Sequence, residues 1–428
     1  MNGDVGKMTT VHSDLTESFW DTTNTEPYPF YERVREHGEV VWDPAMKAWL
    51  VVSSAAARQV LQDDTLFLHP VLTMQAGGTY KQIRGNNPRS FFFLQGEKHR
   101  EMHRWWVRDL LSPQWVAKYR ADAVRPVIDR LLDALASRKM FELSRDYAER
   151  IPIGIFAALL DLPQQSDAFL AHIKALNDHI ADFVSLAHSL KLEDDPSDEH
   201  KAIAERAVSA AQELDEILRP VVAERRGGTG GDLISRLWAG GPQIFADWNE
   251  IDTLDGCRRL LFAGVDTTTH LVANAYHMLL TDGELMQRVR AGDEKTIERF
   301  AEEALRLNGT VQFRPRRAMA DTELAGVPIK KGEMVVVILL AANRDPVQYA
   351  CPHAVDLERT APRNHLAFLY GPRACPGATL ARAELVEAVS AGLRRFPHLR
   401  LDSEAEPPVF RGFMMRSHRP LHVRTDAV

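Results

Sequence analysis

The chain has 428 residues and a formal net charge of -7 at pH 7, with 45% hydrophobic and 26% charged residues. These proportions are typical of a globular protein with an apolar core, and the acidic balance argues against nucleic acid as a partner. Three cysteines without paired spacing argue against a disulfide framework and indicate a reducing compartment. A polar N-terminal stretch and the lack of a long apolar run predict no signal peptide and no membrane anchor, so we expect a cytoplasmic protein.

The first hundred residues read as small elements followed by a long irregular segment. We expect residues 1–26 to be flexible, with helices at 28–37 and 54–63 around a hairpin at 40–52. Residues 65–95 are rich in glycine, proline, asparagine and aromatic side chains, which predicts a long loop. A loop of this length inside a compact chain is usually functional.

The rest of the chain is helical first and strand-rich later. Two amphipathic helices, 164–190 and 199–226, flank an acidic stretch at 193–199 that would suit a mobile lid. A proline-free helix at 248–280 is long enough to cross the molecule, and helices at 283–291 and 294–308 follow it. Strands are predicted at 317–329 and 333–342, then a helix at 378–396 and a strand-rich tail at 407–423. Without internal repeats or a low-complexity linker, the pattern predicts one domain over 1–428, mainly α with a smaller β-rich portion.

A single cysteine stands in a short loop rich in glycine and proline. The loop runs from Phe368 to Gly377 and reads Phe-Leu-Tyr-Gly-Pro-Arg-Ala-Cys-Pro-Gly, with the predicted helix directly after it. Backbone N–H groups and the positive helix end would favour the thiolate of Cys375, which is a strong metal ligand. The alternative is an ordinary turn with a buried, inert cysteine.

The long helix contains residues that are unusual at its centre. Gly264 is costly inside a helix, and Asp266 beside Thr267 competes with the backbone for hydrogen bonds, so we expect a locally opened turn. The alternative is that Gly264 only allows close packing and that the Asp-Thr pair faces the surface.

Three further helical patterns consist of charged or titratable residues. Glu303 and Arg306 stand at i and i+3, where they could pair with each other or remain solvated. His99 and His103, at i and i+4, could suggest a zinc pair, but no third ligand accompanies them in a recognisable motif. Arg100, Arg104 and Arg108 recur every four residues and would form a basic stripe, or simply a solvated face.

The order Phe-x-x-Gly-x-Arg-x-Cys-x-Gly resembles the haem-ligand loop of the cytochrome P450 family. The resemblance implies the P450 fold, a haem b cofactor with Cys375 as iron ligand, and a loop framed by Phe368, Gly371 and Gly377. It implies that Ala263 and Gly264 lie over the haem, that Thr267 hydrogen-bonds dioxygen and that Asp266 relays protons. It also implies a buried network of Glu303, Arg306 and Arg359 that holds the core near the cysteine.

The same resemblance assigns donors to the two haem propionates. Arg373 and Arg316 match two of the family's positions, and His99 matches the histidine of a His-x-x-x-Arg pattern. This chain departs from the pattern because His103 stands where the arginine belongs and Arg104 follows it. Either His103 or Arg104 could therefore reach the propionate, and we favour Arg104 because it keeps a permanent charge. The basic stripe would then lie on the face where an acidic ferredoxin or flavodoxin docks.

By the same resemblance, the substrate pocket is apolar and partly aromatic. Its expected lining is Phe91, Phe92, Phe93, Ala263, Phe313, Phe413 and Met414. Lys81, Arg84 and Arg89 could anchor a substrate carboxylate, or could be solvated.

The expected function is that of a monooxygenase which uses O2 to hydroxylate, O-demethylate or epoxidise a small apolar or aromatic molecule. Oxidative coupling of phenols or indoles is an alternative reaction of the same oxidant. A non-enzymatic haem sensor or electron carrier is a third, against which Asp266 and Thr267 argue.

Overall fold

The computed structural model describes residues 15–72, 77–191 and 197–426. The α-helices are α1 (Tyr28–His37), α2 (Ser54–Gln62), α3 (Gly77–Ile83), α4 (Gly96–Trp105), α5 (Pro113–Tyr119), α6 (Arg125–Leu135), α7 (Arg150–Leu159), α8 (Asp167–His188), α9 (Asp198–Glu224), α10 (Leu233–Gly240), α11 (Glu250–Thr281), α12 (Gly283–Ala291), α13 (Glu294–Asn308), α14 (Leu339–Ala342) and α15 (Ala378–Arg395). The strands are β1 (Val40–Asp43), β2 (Ala48–Val51), β3 (Phe67–Leu68), β4 (Met140–Glu142), β5 (Phe313–Ala318), β6 (Thr322–Leu324), β7 (Val327–Ile329), β8 (Met334–Ile338), β9 (Arg400–Leu401), β10 (Val409–Arg411), β11 (Ser417–Arg419) and β12 (His422–Arg424).

Helix α11 forms the centre of the molecule. It has 32 residues, which corresponds to a length of about 48 Å, and it packs against α7, α8, α9, α13 and α15. Asn249 caps its N-terminus together with Asp252 in a capping box. The helix is continuous, so the predicted opened turn is wrong: the Thr267 hydroxyl donates to the Ala263 carbonyl at 2.7 Å without breaking the helix.

The largest sheet lies beside this helical core. Its strand order is β1-β2-β8-β5-β3, with β2 and β8 parallel and the other neighbours antiparallel. Trp42 pairs with Trp49 across the first hairpin, and their ring centroids are 5.1 Å apart. Smaller sheets join β4 with β12 and β9, β10 with β11, and β6 with β7. The chain is therefore mainly α with a smaller β-rich portion, as expected.

Helices α8 and α9 pack against each other and against α11. Ser166 and Ser197 cap their N-termini with side-chain hydrogen bonds, which explains where both helices begin. Of the acidic stretch between them, residues 193–196 lie outside the described part of the chain. Its role as a lid stays a prediction.

Two expectations for the N-terminal part need correction. The predicted loop at 65–95 contains α3, whose Tyr80 and Ile83 are buried, so tertiary packing outweighs the weak local signal. Residues 15–26 are packed onto the fold: the Phe19 side chain is fully buried, and its ring centroid lies 5.2 Å from that of Phe313. Residues 1–14 lie outside the described part of the chain.

Candidate active site

The cysteine loop is shaped by backbone contacts. Gly371 has a φ of +71°, and a Cβ at this position would lie 2.7 Å from the Leu61 carbonyl oxygen, so only glycine fits. The Cys375 N–H donates to the Phe368 carbonyl at 2.8 Å, and the Gly377 N–H is directed at the thiol. The loop therefore holds the sulfur in one position ahead of α15.

The Cys375 thiol faces a space inside the protein. Its side chain is accessible to solvent, yet burial raises the pKa of the thiol because protein surrounds the site. The predicted preference for thiolate is wrong for the loop alone, since burial outweighs the Gly377 N–H and the nearby arginines Arg259, Arg314 and Arg382. A coordinated metal would remove the proton outright.

One face of α11 borders the same space. Arg259, Ala263 and Thr267 recur every four residues and so share a helix face. Ala263 is exposed although the helix crosses the interior, and Arg259 lies within electrostatic range of Cys375. The space between this face and the Cys375 loop is therefore an internal cavity.

Gly264 serves packing on another side of α11. A Cβ at Gly264 would lie 2.1 Å from the ring of Phe156 on α7. The expectation that Gly264 makes room over the haem is therefore wrong, because the residue makes room for an aromatic ring. Ala263 is the small residue that faces the cavity.

Asp266 lies behind this face and pairs with a lysine of α8. Its Oδ1 is 3.3 Å from Lys174 Nζ, and Lys174 also pairs with Asp178. Burial raises the pKa of Asp266 to about 6, against the opposing charge of Lys174, while Asp178 and Glu149 raise it further. A groove of about 680 Å³ reaches these residues from the surface. The carboxyl group thus lines a surface groove at the centre of α11.

The sequence did not reveal Lys174, which lies 92 positions before Asp266 in a helix with many surface charges. Its position on an amphipathic helix made it look solvated, although its side chain is only 11% exposed.

The histidines of α4 point toward the cysteine loop. His99 is fully buried, and neither ring nitrogen has a hydrogen-bond partner among the described residues. Burial lowers the pKa of His99 to about 3, with Arg373 and His103 contributing, so the ring is neutral. His103 Nε2 lies 2.8 Å from the Ala374 carbonyl oxygen.

Arg104 does not reach the cavity. Its side chain is 61% exposed and pairs with Glu97 at 2.8 Å. Of the two alternatives, His103 is therefore the better placed and the preference for Arg104 is wrong, because a helix turns by about 100° per residue, which places His103 on the face of His99 and turns Arg104 outward.

The basic stripe is largely neutralised. Arg100 and Arg104 both pair with Glu97, and Arg108 pairs with its neighbour Asp109. Of the two interpretations, a basic stripe or a solvated face, the structure favours an exposed face whose charge is offset by Glu97, before the three arginines, and Asp109, after them.

Arg316 and Arg373 both lie near the cavity, but their guanidinium groups differ in their hydrogen-bond partners. Arg316 is buried. Among the described residues, its guanidinium donates a hydrogen bond to the Pro315 carbonyl at 2.8 Å. Arg373 pairs with Asp64 at 3.0 Å and donates to the Leu94 carbonyl. Arg316 thus has more capacity for a further anion than Arg373.

The predicted network of Glu303, Arg306 and Arg359 is present. Two hydrogen bonds of 2.8 Å join the Arg306 guanidinium to the Glu303 carboxylate, and Arg359 Nε donates to the same carboxylate at 3.0 Å. Both side chains of the first pair are fully buried. Arg306 also donates to the carbonyl groups of Asn343, Pro352 and Ala354, so its charge is well compensated.

A second network lies beside it and was missed. Glu302 binds His365 at 3.0 Å and Arg382 at 2.6 Å, and the Arg382 guanidinium lies 4.5 Å from the centroid of the Phe368 ring. Burial alone would raise the pKa of Glu302, but these hydrogen bonds outweigh it and lower the pKa to about 2. The two adjacent glutamates therefore stabilise the chain on either side of the cysteine loop. The sequence pattern of Glu303 and Arg306 gave no indication of the role of Glu302.

The aromatic residues expected to line a pocket divide into two groups. Phe91 lies 4.7 Å from His99, centroid to centroid, and under the Arg259 guanidinium, while the half-buried Phe92 stacks on Tyr80 and contacts Phe93. Phe313 and Met414 are buried in the core, so their assignment to the pocket was wrong. The half-buried Phe413 packs against Phe313, with ring centroids 4.9 Å apart, and borders the groove near Asp266.

The donor set fits a haem. A cysteine and a small alanine face one internal cavity. Beside it lie a buried arginine and a buried neutral histidine whose ring nitrogens have no partner in the described part of the chain. A propionate would satisfy such donors. Within the described part of the chain, no cluster of three or more metal-ligating side chains is found, and so the zinc alternative for His99 and His103 gains no third ligand.

These features, a cysteine loop opposite a long central helix with an acid and a threonine at its middle, define the class of haem-thiolate proteins. The cytochrome P450 family model matches residues 23–423, and the chain belongs to this family.

Individual relatives support the same assignment. The chain is 28% identical to the putative cytochrome P450 YjiB of Bacillus subtilis, over 87% of this chain and 88% of that protein. It is 29% identical to the epothilone C/D epoxidase of Sorangium cellulosum, over 90% and 88%. The crystal structure of the hydroxylase HmtN superposes with a TM-score of 0.76 at 29% identity, covering 96% of this chain and all of that one. Among the described helices, none combines the length and apolarity that a membrane crossing requires.

Proposed function

We propose that this protein is a monooxygenase that inserts one oxygen atom of O2 into a small, largely apolar substrate. The observation that carries the proposal is the arrangement around the cavity: Cys375 on one side, Ala263 and Thr267 on the other, and Asp266 with Lys174 behind the helix. Relatives named for epoxidation and hydroxylation support the reaction type. The reaction consumes two electrons and two protons, and releases one oxygen atom as water.

The cofactor and the protein divide this work. Haem held by Cys375 would supply the oxidising chemistry, with its propionates bound by His99, Arg316, His103 and the remaining capacity of Arg373. The carboxyl group of Asp266 would collect protons from the groove and pass them toward Thr267. A carboxyl group with a pKa of about 6 can both accept and release a proton near neutral pH, which a relay requires.

Thr267 is placed to receive these protons on the cavity side. Its hydroxyl donates to the Ala263 carbonyl, and its own carbonyl accepts from the Thr310 hydroxyl at 2.9 Å. Thr310 therefore fixes the helix turn that presents the Thr267 side chain, so that the hydroxyl can orient dioxygen.

The electrons would come from a separate iron–sulfur or flavin protein. Because the stripe on α4 is compensated by Glu97 and Asp109, we assign no dominant steering role to it. A cytoplasmic location and a single domain over the whole chain are part of the same proposal.

Turnover with a surrogate ferredoxin and its reductase tests the proposal. With a substrate identified by its spin-state shift, wild-type protein should consume NADPH and form a product that is heavier by one oxygen atom. Thr267→Ala should keep NADPH consumption but lose most of the product, because protons and dioxygen are no longer controlled. The neighbouring change Thr268→Ser serves as a matched control and should retain product formation. A haem sensor or electron carrier would show no ligand-stimulated NADPH consumption, and a coupling enzyme would form product without added oxygen.

A further inference from the structure

Among the described residues, three arginines around the cavity form no ion pair with a carboxylate: Arg84, which is buried, and Arg259 and Arg314, which are half-buried. Arg84, directly after α3, is only 4% exposed, and its Nε has no hydrogen-bond partner among the described residues. Nη1 of Arg314 on β5 is also buried without a partner. The Arg259 guanidinium lies 3.8 Å from the Phe91 ring centroid. No ion pair within the described ranges involves any of the three, and a guanidinium is costly to bury unless an anion accompanies it.

The three arginines lie around one space although they come from different elements. Arg259 is within electrostatic range of Arg84 and of Cys375, and Arg314 is also within range of Cys375. Tyr80 is within range of both Arg84 and Arg314. Positive charge from α3, α11 and β5 therefore converges on the cavity above the cysteine.

The ion pairs that the described residues show for the neighbouring carboxylates are with other arginines. Asp255 is within electrostatic range of Arg84 and Arg259 and offsets part of their charge, but its Oδ1 has no hydrogen-bond partner among the described residues. Its ion pair, at 3.9 Å, is with Arg258, which itself pairs with Asp215 at 2.7 Å. Asp252 pairs with Arg89 at 2.7 Å. Asp252 and Asp255, in the first half of α11, thus form their ion pairs with arginines other than these three.

The haem would not neutralise all of this charge. Its two propionates match the site formed by His99 and Arg316, next to Arg373. Arg259 is within electrostatic range of His99, and Arg314 is within range of Arg316, so these two arginines also border that site. Arg84 lies apart from that site, between the rings of Phe92 and Phe262, at 5.8 and 5.2 Å from their centroids. These rings hold the guanidinium in place and also provide an apolar wall.

The sequence suggested Lys81, Arg84 and Arg89 as anchors for a substrate carboxylate, and the structure leaves one of them in that role. Lys81 is exposed, and Arg89 is bound by Asp247 and Asp252, so neither is available to a molecule in the cavity. Arg84 is the one of the three that is buried without an ion pair among the described residues. The second and third cations, Arg259 and Arg314, come from elements that the sequence did not connect with this loop.

Building on the proposed monooxygenase function, we propose that the substrate is an amphipathic carboxylic acid. Its carboxylate is bound by Arg84, Arg259 and Arg314, and its apolar body lies against Phe91, Phe92 and Phe262. The carboxylate thereby holds the rest of the molecule at a fixed distance from the iron position and selects which carbon is oxidised.

Ligand titration of the haem-loaded protein tests this assignment. The probes are 4-phenylbutyrate and dodecanoate, each compared with its methyl ester, and the readout is the low-spin to high-spin change of the haem absorption. Each acid should bind the wild type more tightly than its ester. Arg84→Gln and Arg314→Gln should each weaken binding of the acid by at least about tenfold, the loss expected for one charge-assisted hydrogen bond, and should change ester binding by less than about twofold.

Lys81→Gln is the matched control, one helical turn before Arg84, and should leave the preference unchanged. Haem content is measured for every variant. Arg259→Leu is included because the positive charge of Arg259 lies within electrostatic range of Cys375. The inference is overturned if no acid binds more tightly than its ester, or if Arg84→Gln keeps the full preference.

Failure of the inference and failure of the proposed function can be distinguished. If the reduced protein with carbon monoxide lacks a haem-thiolate spectrum, the proposed function fails, and the acid proposal fails with it. If that spectrum and turnover are normal but esters are preferred, only the acid proposal fails.

Discussion

Replacement of Lys174 by methionine isolates the electrostatic control of Asp266. The ammonium group lies 3.3 Å from the Asp266 carboxylate, and both side chains are nearly buried. At an effective dielectric constant of about 20, Coulomb attraction over this distance is about 5 kcal/mol, most of which is offset by desolvation of the two charges. If the ionised Asp266 carboxylate loses about 1.4 to 2.7 kcal/mol of net stabilisation, its pKa rises by about one or two units.

Lys174→Met should therefore raise the pKa of Asp266 from about 6 to roughly 7 or 8. The assay measures product formed per NADPH consumed between about pH 5.5 and pH 9, with a saturating redox partner. Because the relay needs the ionised carboxylate to accept a proton, the acid limb of this profile should move upward by one to two pH units in the variant.

Lys174→Arg, which keeps the charge, is the control and should leave the limb near its wild-type position. The reasoning is refuted if Lys174→Met does not move the acid limb, or if Lys174→Arg moves it as far. Asp178→Asn supplies a second check, since Asp178 raises the pKa of Asp266 and its removal should not shift the limb upward.

Three other predictions concern residues that shape the core. Burial raises the pKa of Glu384 to about 8, and an acid whose folded-state pKa is raised loses its stabilising contribution as pH rises. Glu384→Gln should therefore gain unfolding free energy relative to wild type between about pH 4.5 and pH 8, and an equal difference at all pH values in denaturant titrations would contradict this. Gly264→Ala should cost about 1 to 3 kcal/mol through its clash with Phe156, and Phe156→Leu should recover part of that loss; a neutral Gly264→Ala would show that the contact is loose. Arg306→Ala should cost about 3 to 5 kcal/mol and lower haem content by leaving Glu303 buried without its partner, whereas Arg306→Lys should keep part of both; normal folding of the alanine variant would be inconsistent with a structural network.

Much of the fold was predictable because local signals agree with tertiary structure. The bounds of α12 and α13 match the prediction, since Asp282 and Asp293 cap their N-termini and polar breaks separate the apolar faces. Helix α3 was missed because its segment contains glycines, and packing of Tyr80 and Ile83 decides its conformation. Local propensity alone could not show that packing.

The candidate site was predictable where a motif fixes the backbone, as in the Cys375 loop and the Glu303 to Arg306 pair. His103 could have been chosen over Arg104 from helical periodicity, since it shares a face with His99. Lys174 could not have been found, because its partnership with Asp266 depends on how α8 crosses α11. For the same kind of reason, the packing of distant elements, the sequence could not show that Arg259 and Arg314 both lie within electrostatic range of Cys375.

The most direct test of the account is the carbon monoxide spectrum of the reduced, haem-loaded protein, compared with that of Cys375→Ser. The account predicts the red-shifted Soret band of a haem-thiolate in the wild type and its loss in the variant, with Cys351→Ser as a control that keeps it. A wild-type spectrum without thiolate ligation, or one that survives Cys375→Ser, would contradict the assignment of Cys375 as the iron ligand.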